Sequence, residues 1–203
     1  MKKRLLSLAL MTIFISLMAL GSAAYFTVEG RATNVITTGT VELTLTETST
    51  DGTVVKDEDN NFIGLYFDKV MPSQTLDKHP VVENTGTQAF WLRVKVKPSM
   101  TASDGKTALP ADVLDFNGLV TEGEAAPWVY DGKGWYYYTA PVAVGEKVEL
   151  FSSVTLSPQM GNEYQDSTGL IEIQAQAVQT KNNDIPAEGT VLDIPGWPEE
   201  NAQ

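Results

Sequence analysis

Few residues in this chain can carry chemistry. His79 is the only histidine in 203 residues and stands beside Pro80 in a polar connection, and there is no cysteine. Those counts remove disulfides, thiolate nucleophiles, sulfur-ligated metals and multi-histidine centres together. No HExxH, GxSxG, Walker loop or GxGxxG occurs either, so His79 reads as a loop residue without a catalytic role. Carboxylates are plentiful, but the spatial pairing that general acid–base work needs has no visible spacing in a sequence. Asp57, Asp59 and Asn61 have the one-three-five spacing of a calcium loop, with Asp68 at the twelfth position. The sixth position is Phe62 rather than Gly and no helices flank the run, so it reads as a charged turn. No metal and no cofactor are expected, and no enzymatic activity.

Aromatic residues offer a second kind of chemistry. Trp128-Val129-Tyr130, the turn Asp131-Gly132-Lys133-Gly134, and Trp135-Tyr136-Tyr137-Tyr138 form a hairpin pattern. Trp128, Trp135 and Tyr137 could stack on sugar rings. Alternation sets Trp135 and Tyr137 on one face and Tyr136 and Tyr138 on the other, so core packing competes with a carbohydrate platform.

Proteolytic processing has the clearest spacing. Met1-Lys2-Lys3-Arg4 is basic, Leu5 to Leu20 is apolar, and Ser22-Ala23-Ala24 precedes Tyr25 in a small-x-small pattern. Leu5 to Ala24 is also long enough to span a bilayer as an uncleaved anchor. The small residues where a spanning helix would keep its bulk favour cleavage and export. The whole chain has a net charge of -12, and losing Lys2, Lys3 and Arg4 makes the mature form more acidic still. That charge argues against nucleic acid and anionic membrane surfaces as partners. The membrane is expected to matter only through the uncleaved signal peptide.

Period-two alternation must position whatever these residues do. Val41, Leu43 and Leu45 alternate with Glu42, Thr44 and Thr46. Phe62 to Val70 is an apolar, aromatic-rich strand, and Val81 to Asn84 a short one after a polar connection from Pro72 to Pro80. Phe90, Leu92, Val94 and Val96 face one way, while Trp91, Arg93, Lys95 and Lys97 make a cationic outer face. That face fits an edge strand protected by charge, cross-strand pairing with acids, or a docking stripe. Ala111 to Phe116 reads as one helical turn. Lys147 to Leu156 and Leu170 to Gln179 alternate again. Beyond Lys181 the chain is acidic and carries Pro186, Pro195 and Pro198, a tail with Trp197 available to pin it.

Eight to ten short strands separated by turn signals indicate an all-β fold: a single jelly-roll-like antiparallel β-sandwich preceded by a signal-peptide helix. The expected division is 1–24 signal peptide, 25–39 N-terminal assembly segment and linker, 40–180 sandwich, and 181–203 acidic tail. Processing would leave the 25–39 segment as a strand candidate with no hairpin partner beside it.

The segment AAYFTVEGRATNVITTGTVELTL (Ala23 to Leu45) directly after a signal peptide resembles the processing region of the TasA and camelysin-like exported proteins. VVENTGTQAFWLRVKV (Val81 to Val96), WVYDGKGWYYYTAPVAVGE (Trp128 to Glu146) and IEIQAQAVQ (Ile171 to Gln179) resemble the same family, in the same order. The resemblance implies cleavage by a signal peptidase of the SipW type and a secreted, jelly-roll-like fibre subunit of a biofilm matrix or cell surface. It implies assembly with itself or related matrix subunits, one subunit's freed N-terminal segment adding as a strand to its neighbour's sheet. Here that donor strand lies within Ala24 to Val35, anchored by Tyr25, Phe26 and Val28, with Val35 at its end. Met71-Pro72-Ser73 stands where relatives more often have a Pro-Gly turn. No zinc motif supports the protease activity attributed to camelysin relatives. A monomeric module binding glycan or cell wall through the aromatic hairpin is the other function class these residues allow.

Overall fold

Alternating sequence becomes strand along the described residues. A computed structural model describes residues 26–35, 41–56, 58 and 62–198, with 26–35 and 62–63 described through their backbone. The signal peptide, the cleavage residues Ser22, Ala23, Ala24 and Tyr25, and the calcium candidates Asp57, Asp59 and Asn61 lie outside the described residues.

Among the described residues fourteen strands are present: β1 (Phe26–Val35), β2 (Leu43–Thr48), β3 (Thr53–Lys56), β4 (Phe62–Val70), β5 (Thr75–Asp77), β6 (His79–Asn84), β7 (Phe90–Thr101), β8 (Ala108–Leu109), β9 (Leu114–Asn117), β10 (Trp128–Tyr130), β11 (Trp135–Tyr138), β12 (Lys147–Glu149), β13 (Ser153–Leu156) and β14 (Thr168–Gln179). Two single-turn 3-10 helices, Asn162–Tyr164 and Val191–Asp193, complete the described elements. The result is an all-β sandwich. Among the described residues no helix is long and apolar enough to cross a membrane.

One layer is an eight-stranded sheet in the order β10-β11-β7-β14-β1-β4-β3, with β8 also on β7. The facing layer comprises β12-β6-β2 and β5-β13-β9. These two small sheets behave as one curled sheet. Asp77 pairs with Ser153 and Val81 with Glu149 in a single uninterrupted register, and Leu150 N donates to Pro80 O across the junction at 3.0 Å. Inward residues of both layers form one core, including Leu43 and Leu45 of β2, Val82 of β6, Leu92 and Val94 of β7, Leu156 of β13 and Ile171 and Ile173 of β14. Each such side chain contributes roughly 1.5–3 kcal/mol of apolar transfer.

Three expectations change. The FWLRVKVK stretch is no edge: β7 pairs with β14 over twelve residues and with β11 from Arg93 to Lys95, its outer-face residues Trp91 and Arg93 are buried, and exposed Lys97 stands opposite Glu172, as cross-strand pairing with acids requires. Ala111 to Phe116 is not a helical turn, because Leu114–Asn117 pairs with β13 and the non-local ladder overrides a weak local preference. His79 begins β6 instead of sitting in a loop. The aromatic hairpin forms as read, with Trp128 opposite Tyr138 and Tyr130 opposite Tyr136. Its turn is set by Asp131, whose Oδ1 accepts from Lys133 N at 2.7 Å and Trp135 N at 3.0 Å, and by Gly132 at φ 75°.

Strand β14 is where the core is most demanding, since Ile171, Ile173, Ala175 and Ala177 are essentially inaccessible to solvent. Ile173→Ala should lower stability by about 2–5 kcal/mol, read as a lower urea midpoint.

Candidate functional site

The first candidate site is the slot that holds β1. This strand pairs in parallel with β14 over nine residues, from Thr27 opposite Thr168 to Val35 opposite Gln176. On its other side Phe26, Val28 and Glu29 pair antiparallel with Val70, Phe67 and Tyr66 of β4, with a register shift between Phe26 and Val28. The segment expected to lack a partner therefore has two, and both are remote in sequence. Neither is joined to it by a hairpin. A strand flanked by β4 and β14 completes a sheet that would otherwise be split, because buried backbone N–H and C=O groups require partners. Phe26, Val28 and Val35 all lie on this strand; Tyr25 is outside the described residues.

The second candidate is an open pocket of about 330 Å³ lined by Thr48, Ser49, Thr50, Asp77, His79, Val81 and Glu149. Period two sets Asp77 and His79 on the same outer face of the β5–β6 strand, and Glu149 projects from the adjacent β12. His79 Nε2 lies 2.8 Å from Asp77 Oδ1, and Nδ1 lies 3.2 Å from Glu149 Oε2. Asp77 also accepts from Thr50 N at 2.6 Å, while its own N–H donates to Asp51 Oδ1 at 3.2 Å. Partial burial pulls the imidazole pKa down, but the hydrogen bonds and charges of Asp77 and Glu149 outweigh it, and the net shift is upward. Hydrogen bonds from Thr50, then His79, hold Asp77 below its usual range. With both ring nitrogens engaged by carboxylates, and Ser49 Oγ turned to Asp51 at 2.9 Å, the group is a bridge rather than a nucleophile–base pair. Among the described residues no three His, Asp or Glu side chains are placed to hold a metal ion.

The third candidate, the aromatic platform, is not on the surface. Trp128, Trp135 and Tyr137 are 1%, 2% and 5% exposed. Trp128 enters the main core, 5.2 Å from the Tyr138 ring. Trp135 and Tyr137 join Trp91 and Val178 in a second cluster on the outer face of the large sheet, covered by Val191 and Ile194 of the tail. Arg93 holds this cluster together. Its guanidinium carbon sits 4.2 Å from the Trp135 ring centre and 4.8 Å from that of Trp197. Its nitrogens donate to Gln176 Oε1 at 2.6 and 2.9 Å, to Tyr137 Oη at 3.0 Å and to Pro198 O at 3.1 Å. Trp91 Nε1 donates to Asn183 O at 2.8 Å, a second tie between tail and sheet. Trp197 was legible as the residue able to pin the tail. Its partner was not, since Arg93 reads in the sequence as an exposed charge.

No family model, curated protein or solved structure matches the chain.

Two outcomes follow from this geometry. The His79 bridge, with its folded pKa raised, stabilises fully below the unfolded value of 6.5 and loses that contribution as pH rises through the folded value. Asp77 has the opposite sign: its contribution is present above 3.8 and is lost as pH falls through its lowered folded value. Unfolding midpoints should decline on the alkaline side of 6.5 in the native chain and flatten there in His79→Gln. Arg93→Ala leaves Gln176 buried without its partner and should cost about 2 kcal/mol or more. It should also release the tail, seen as faster limited proteolysis beyond Gln179.

Proposed function

We propose that this chain is an exported, non-enzymatic structural subunit of an extracellular matrix or cell surface that assembles by exchange of its N-terminal strand. The observation that carries the reading is the position of β1. It directly follows the expected cleavage residues Ser22 to Tyr25, yet it fills an interior place in the large sheet between two strands distant in sequence. A strand with no hairpin tie can be supplied by its own chain or by a second copy, because the main-chain ladder is the same in either case. Alternate side-chain positions then fix the register. The leader attached ahead of Tyr25 would restrain that exchange, so cleavage by a signal peptidase of the SipW type would start assembly. The resemblance to TasA and camelysin-like proteins supports the same reading. The glycan-binding alternative is weakened by the burial of Trp128, Trp135 and Tyr137.

Electron micrographs of the processed chain should contain filaments, and removal of residues 25–35 should abolish them. Because the chain lacks cysteine, one engineered pair gives a sharper test. Thr33 and Gln174 are register partners in β1 and β14, so Thr33→Cys with Gln174→Cys can lock the strand into its own molecule. The oxidised form should stay monomeric and the reduced form should assemble. Filaments from the locked form, or monomers from both, would end this reading.

A further inference from the structure

Alternation carries two ionisable residues into the core. Leu76, Lys78, Pro80, Val82 and Asn84 all face inward along β5 and β6, and Leu43, Leu45 and Glu47 do so along β2. Glu47 is register partner to Pro80, so Glu47 and Lys78 are diagonal neighbours on the inner face. Lys78 Nζ lies 2.6 Å from Glu47 Oε1, with the side chains 1% and 0% exposed. Among the described residues no other group serves Nζ or either carboxylate oxygen. An isolated buried ion pair is a poor source of stability, since losing two hydration shells offsets most of the attraction.

The geometry points to an intramolecular amide bond between Lys78 Nζ and Glu47 Cδ. Burial raises the Glu47 pKa and lowers that of Lys78, each effect opposed but not cancelled by the other's charge and hydrogen bond. Both shifts favour transfer of the ammonium proton to the carboxylate, which yields the free amine and neutral acid that amide formation requires. The Nζ lone pair attacks Cδ, the C–N bond forms, and the carbonyl π pair moves onto oxygen. One Nζ proton passes to the departing hydroxyl, the C–O bond breaks, and the carbonyl re-forms as one water leaves. No oxidant, reductant or activating group is consumed. The product replaces two buried charges with a neutral amide and ties β2 to the β5–β6 strand. In a cysteine-free chain this supplies a covalent staple that resists reduction.

Intact mass spectrometry of the purified chain, its N-terminus fixed by sequencing, tests the inference directly. The folded native chain should weigh one water less than its sequence requires. A protease digest should contain a branched peptide joining Glu47 to Lys78. Lys78→Met should restore the full sequence mass, and the native measurement stands alone if that variant does not fold. Asp51-Gly52, Asp104-Gly105 and Asp131-Gly132 can each lose water as a succinimide, so fragmentation must place the loss. Full mass in folded protein, or a water loss mapped only to those sites, overturns the proposal.

Discussion

The architecture depends on the two main-chain ladders of β14. This strand pairs with β7 over all twelve of its residues and with β1 over nine. It is covered by the sandwich core on one face and, from Gln176 to Val178, by the tail cluster on the other. Its backbone groups from Thr168 to Gln176 lie in the interior of the sheet and are paired on both sides. The antiparallel partner comes from mid-chain and the parallel partner from the N-terminal segment. Occupancy of the β1 place is thus a requirement of the sheet.

Charge is distributed by the same logic. Arg93 is buried, but its planar guanidinium lies close to two indoles and donates to Gln176, Tyr137 and a tail carbonyl, so it is well supplied with acceptors. The His79 bridge sits at the surface, where protonation can follow solvent pH and join Asp77 to Glu149 across adjacent strands. Glu47 and Lys78 have neither advantage. They are sealed from water and among the described residues have only each other, and burial pushes the Glu47 pKa up and that of Lys78 down.

The tail shows how a covering segment changes the meaning of a sheet face. Trp91, Trp135, Tyr137 and Val178 would form an exposed apolar surface without residues beyond Lys181. Val191, Ile194 and Trp197 cover it, and a capping box between Thr190 and Asp193 fixes the short turn that presents Val191. The aromatic hairpin therefore serves two interiors, Trp128 in the main core and Trp135 with Tyr137 beneath the tail.

Local sequence was sufficient for the all-β class, the 128–138 hairpin and the alternation of β2, β7 and β14, because period-two patterns and Asp-Gly turns act over a few residues. It also contained, unread, the inward positions of Glu47 and Lys78, which follow once alternation is continued past Leu45 and Leu76. Pairing between distant strands was beyond it. Nothing near Phe26 announces Thr168 or Val70 as neighbours, nothing near Arg93 announces Trp197, and nothing at His79 announces Glu149. Those juxtapositions arise when long loops close around a shared core, and only the folded chain selects which edges meet.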